Sequence, residues 1–167
     1  FMTNGVDNRV LTATGSDAMN AEANLTFDGS TLTLAGDMTA TGDTFTFQSG
    51  NADDPQFIIK NTNSSDDEAS RLQLRKDRGV AMVQNDRIGE IEFVGEDADQ
   101  NFQFYGKMMV KADVVTGGQE SGKMQFQVAS HDGGLDTGLE LVGGSVDTEI
   151  DATIGKGAAS VTTIADN

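Results

Sequence analysis

Three clusters of carboxylates carry the most conspicuous chemistry of this chain: Asp53-Asp54, Asp66-Asp67-Glu68 and Glu96-Asp97-Ala98-Asp99. Two carboxyl groups, one kept protonated in a cleft, can cleave a glycosidic bond. That use needs one raised pKa and, usually, aromatic rings on which a sugar stacks. Trp is absent, Tyr105 is the single tyrosine, and all three clusters sit among turn-forming residues. They read as solvated turn carboxylates, so no catalytic residue is assigned. Residues 96–101 also set oxygen ligands at alternate positions, Asp97, Asp99 and Asn101, as calcium loops do. The EF-hand register fails there, because Phe102 stands where glycine is required and the closing Glu is missing. No cofactor is expected, and these three residues are a metal candidate on spacing alone.

The single histidine, His131, lies in Ser130-His131-Asp132-Gly133-Gly134. Neighbouring residues of one turn point apart, whereas a nucleophilic triad is assembled from distant segments. His131 therefore reads as an exposed turn residue or a ligand-facing loop residue. Gly117-Gly118 and Gly133-Gly134 are turns, since neither GxxxxGK nor GxGxxG is present. With no cysteine, thiolate chemistry and disulfides are excluded.

Something must position these loops, and the alternation of apolar residues says that it is β-structure. In Asn24-Leu25-Thr26-Phe27-Asp28-Gly29-Ser30-Thr31-Leu32-Thr33-Leu34 the apolar residues occupy every second position. Phe45 and Phe47 repeat the pattern, and Gly29, Gly36, Gly42 and Gly50 punctuate it about every seven residues. Strands this short cannot bury their own apolar faces. Two arrangements supply the missing surface: a meander packed on a globular domain, or several copies of the chain wound about a common axis. The second also leaves few exposed strand edges. It puts Leu25, Phe27, Leu32, Leu34, Phe45 and Phe47 on that axis.

Residues 51–142 predict an antiparallel, sandwich-like sheet domain with longer strands. The expected strands cover 56–60, 70–76, 88–93, 102–106, 107–112, 123–128 and 139–142. The stretch 65–79 also carries helix-end signals, an acidic first turn and a basic last turn before Gly79. The apolar pattern decides against a helix: Leu72 and Leu74 share a strand face, while Arg75 and Lys76 occupy the helical neighbours of Leu72. As a strand, Arg71 and Arg75 could face Glu90 and Glu92. Residues 1–50 and 143–167 are expected to be short-stranded, shaft-like segments on either side.

The net charge of −16 and pI near 4.1 argue against nucleic acid and anionic membranes as direct partners. No apolar run approaches a membrane span, and no signal peptide is apparent at Phe1-Met2-Thr3. The opening Phe1-Met2 suits a piece of a longer chain.

Arg71-Leu72-Gln73-Leu74-Arg75-Lys76-Asp77-Arg78-Gly79, followed by Asp86-Arg87-Ile88-Gly89-Glu90-Ile91-Glu92-Phe93-Val94-Gly95-Glu96-Asp97, resembles a segment of tail-fibre and other fibre proteins of tailed bacteriophages. Ser121-Gly122-Lys123-Met124-Gln125-Phe126 and the phrase 24–33 add to the resemblance, which covers about residues 10–145. It implies a homotrimeric, non-enzymatic virion fibre on the tail or capsid surface. The partners would be further copies of the chain, other virion proteins and a host-surface glycan or protein. The acidic balance is similar to that of marine phages. Unlike some fibres, the sequence shows no self-cleaving chaperone domain. A virion decoration or adaptor protein and a fragment of a polysaccharide-degrading tailspike are the alternatives. A host-facing role would fall to the loops 61–68, 96–101, 116–121 and 130–134. Asn63, Asp66, Asp67, Tyr105, Gln119, His131 and Asp132 are the receptor-binding candidates.

Overall fold

The computed structural model describes residues 2, 3, 6, 8–16, 18–42 and 44–164. It is all-β, and it divides into two units, Phe1–Ile58 and Ile59–Asn167. Four strands belong to the first unit: β1 (Met2–Thr3), β2 (Arg9–Ala13), β3 (Met19–Phe27) and β4 (Leu32–Leu34). β3 is the centre. β2 runs antiparallel along one edge, while β4 (antiparallel) and the two-residue β1 (parallel) share the other. The β3–β4 turn follows from its residues. Asp28 Oδ1 accepts the backbone N–H of Ser30 (2.9 Å) and of Thr31 (2.7 Å), and Gly29 takes φ +99°.

The second unit is a five-stranded antiparallel meander of β5 (Arg87–Glu96), β6 (Phe102–Val114), β7 (Ser121–Ala129), β8 (Leu135–Gly143) and β9 (Ile150–Ile154). Alternation and register sort its side chains onto two faces. Glu90 opposes Met109, which opposes Gln125, which opposes Glu140. With Glu92, Lys107, Lys111, Lys123 and Gln127 they make a polar face. Ile91 opposes Met108, Met108 opposes Phe126, and Phe126 opposes Leu139. With Phe93, Val110, Met124, Val128, Leu141 and Ile154 they make an apolar face. Bulges in β6 and β8 interrupt the alternation near Tyr105 and Gly138, and one in β5 does so near Ile88.

The expected all-β antiparallel architecture is present, with β5–β9 in one sheet. One expectation is corrected. Residues 56–60 and 70–76 are not strands: nothing among the described residues pairs with their backbones, and Phe57, Ile58 and Leu72 are 68%, 73% and 62% exposed. Within 143–167, Ile150–Ile154 form β9, paired with β8 from Leu139↔Ile154 to Gly143↔Ile150.

Candidate self-association surface

Only Ala21, Met109 and Gln125 are buried among the described residues, at 2%, 4% and 8% exposure. The apolar side chains are sorted onto faces, yet those faces are open. On the β3–β4 hairpin, Leu25 sits directly opposite Leu34 and Phe27 opposite Leu32, so four of the six expected axis residues form two cross-strand pairs. Phe27, Leu32 and Leu34 remain exposed. The other two, Phe45 and Phe47, lie outside any strand, but their rings meet edge-on at 4.7 Å. Phe47 also approaches Phe57 at 5.8 Å, giving an aromatic cluster with all three rings exposed. In the second unit Ile91, Phe93, Val128, Ile150 and Ile154 of the apolar face are exposed.

The polar face carries ion pairs by contrast, although Gln125 Oε1 is buried there without a hydrogen-bond partner among the described residues. Lys107 Nζ lies 2.9 Å from Glu90 Oε2 and 2.7 Å from Glu92 Oε1, and 5.5 Å from the Phe104 ring centroid. Hydrogen bonding from Lys107 holds the Glu90 carboxyl below its ordinary range against the opposing effect of burial. The carboxylates, Glu92 first, hold the Lys107 ammonium above its own. Arg71 and Arg75 therefore do not meet Glu90 and Glu92: Lys107 takes that place, and Arg75 reaches only Asp77, at 3.9 Å.

Because the second sheet is a meander, its turns alternate between two ends. Loops 97–101 and 130–134 share one end, bridged by Gln103, whose Nε2 donates to the Gly133 carbonyl at 2.6 Å. Tyr105, His131 and Asp132 thus belong to one end. Tyr105 is half exposed and its hydroxyl donates to the Glu96 carbonyl at 3.1 Å. Phe102 and Phe104 stack edge to face at 5.1 Å beside the first loop. Gln119 lies at the opposite end, beside an open concavity of about 1160 Å³ floored by Val110, Met124 and Leu141 and rimmed by residues 144–149. Asn63, Asp66 and Asp67 lie before the sheet, in a strand-free stretch. There Asn61 and Asn63 side chains accept the backbone N–H groups of Asn63 and Ser65, each at 2.8 Å.

The candidate chemistry is absorbed by turn structure. Asp97 Oδ1 accepts the backbone N–H groups of Asp99 and Asn101, each at 2.9 Å, and the Asn101 amide donates to both its oxygens. The Asn101 N–H leads in depressing its pKa. Asn101 thus turns donors toward Asp97, the reverse of two ligands sharing a cation. Among the described residues no group of three or more acidic or imidazole side chains is arranged to hold a metal ion. Ser130 Oγ donates to Asp132 Oδ1 at 2.9 Å, so the two polar neighbours of His131 bond to each other.

The apolar face of the meander was not singled out from sequence as a contact surface. Its signal was present in the pairs Ile91/Phe93, Met124/Phe126 and Leu139/Leu141, one apolar set per strand. Comparison with family models, curated proteins and solved structures finds no match to this chain.

Proposed function

We propose that the chain is a non-enzymatic structural segment of a bacteriophage fibre, a homotrimer carried on the virion, whose sheet-end loops contact a host-surface glycan or protein. One observation carries the self-association: the chain exposes 13845 Å². A folded monomer of this mass exposes about 7,900 Å², and two separate domains of these sizes about 9,500 Å². The excess per chain, roughly 4,000–6,000 Å², is at least as large as the area buried in obligate interfaces, about 2,000–5,000 Å² over both partners. It is lined by the alternating apolar residues described above. The fibre identity rests on the resemblance of residues 10–145 to phage-fibre segments. Attachment then works by avidity, since several weak sites on one rigid body bind together with far greater strength than one.

The test is an array of bacterial surface polysaccharides and outer-membrane proteins probed with the purified chain, with release of reducing sugar assayed on the glycans bound. Binding without sugar release supports the reading. Sugar release would replace it with a depolymerase, and binding only to other virion proteins would replace it with an adaptor.

A further inference from the structure

We infer that residues 70–76 form a β-strand in trans, hydrogen-bonded to a second copy of this chain. The inference rests on the self-association proposed above and names one of its contacts.

Ser70-Arg71-Leu72-Gln73-Leu74-Arg75-Lys76 alternates polar and apolar residues as a strand does, and it has the composition to sit between water and a core. Its backbone makes no backbone hydrogen bond among the described residues, and both leucines stay exposed. Backbone donors and acceptors beside exposed leucines are a template for another strand. The segment is also held in place. A Cβ at Gly89 would stand 2.7 Å from Leu74 Cβ, so Leu74 rests directly on β5 where only hydrogen occupies the space.

Charge says what the other strand brings. Arg71, Arg75 and Lys76 stand in a chain of net charge −16, and of the three Lys76 already reaches Asp86 at 3.8 Å. Arg71 has no ion pair among the described residues, and the Arg75 pair with Asp77 is long and mostly solvated. A basic strand on an acidic chain is complementary to another copy of that chain. The free edge of β5 fits on both faces: it carries Glu90 and Glu92 on one side and Ile91 and Phe93 on the other, against Arg71 and Arg75 on one side and Leu72 and Leu74 on the other. Joining the two would also cover open apolar surface that the single chain cannot cover itself.

The test is hydrogen–deuterium exchange of the intact wild-type chain, with its solution mass measured in the same buffer and on dilution. The expected result is an oligomer in which amides of 71–76 exchange on the order of a hundredfold slower than in an unpaired chain, with protection lost on dissociation. An oligomer with unprotected 71–76 would overturn the strand in trans and leave self-association standing. A folded monomer with unprotected 71–76 would overturn both. Protection that persists in the monomer would place the pairing inside one chain and overturn the inference. A second variant, Arg71→Glu with Arg75→Glu, changes only exposed side chains. It is expected to weaken association at least about tenfold while β6 and β7 amides stay protected. Unchanged association would overturn the charge argument.

Discussion

Leu74 rests on Gly89 so closely that any side chain at position 89 would have its first carbon 2.7 Å from Leu74 Cβ. Non-bonded carbons do not approach this far, so the glycine is a socket for a leucine arriving from a segment without strand pairing. Gly89→Ala should therefore destabilise the second unit by about 1–3 kcal/mol, as overpacking does. Gly117→Ala, where the added carbon meets open space, should be nearly neutral. Urea denaturation of Gly89→Ala, Leu74→Gly and the double variant checks this: the two changes should couple, because removing the position-74 Cβ relieves the contact that the position-89 Cβ makes.

The Lys107 clamp predicts a pH dependence. The Glu90 pKa is lowered from 4.5, so its contribution is present above that value and lost as pH falls through the lowered one. The Lys107 pKa is raised from 10.5, so its contribution is present below that value and lost as pH rises through the raised one. Lys107→Met should cost about 1 kcal/mol near neutral pH, because the pair is partly solvated. Its stability should then fall less steeply than wild type from about pH 6 to about pH 3. Thermal melts of both proteins across that range are the check, and parallel curves would remove the clamp from the account.

A carboxylate on the apolar face separates a lone chain from an assembled one. Ile91 is already 39% exposed, so a monomer should tolerate Ile91→Glu with little loss. If copies meet on that face, the same change strands a charge in a dry interface and should reduce association at least about tenfold. Sedimentation at several concentrations reads this directly, with Ala98→Glu in the exposed β5–β6 loop as the control.

Much of the second sheet was legible because its strands alternate over the stretches between their bulges. Ile88 to Phe93, Lys107 to Ala112 and Lys123 to Val128 were expected as strands and lie within β5, β6 and β7. The hairpin of Leu25, Phe27, Leu32 and Leu34 was equally readable, since Asp28-Gly29-Ser30 fixes the turn and the turn fixes the register. Residues 56–60 and 70–76 went the other way. Their pattern is that of strands, but a strand needs a neighbour, and alternation within one segment carries no information about where the neighbour comes from. The pairing of Lys107 with Glu90 and Glu92 was hidden for a different reason: several cations lie near in sequence, and only the register of β5 against β6 selects among them. The acidic loops showed their roles in outline. Asp97 and Asp132 are turn residues whose oxygens are occupied by the N–H groups of their own loops.

The central claim is that further copies of this chain cover the apolar surface that one copy leaves open. Light scattering coupled to size-exclusion chromatography on the purified chain tests it most directly. The account predicts a mass near three times 17.6 kDa, stable on dilution to low micromolar concentration. A cooperatively folded particle near 17.6 kDa would contradict it.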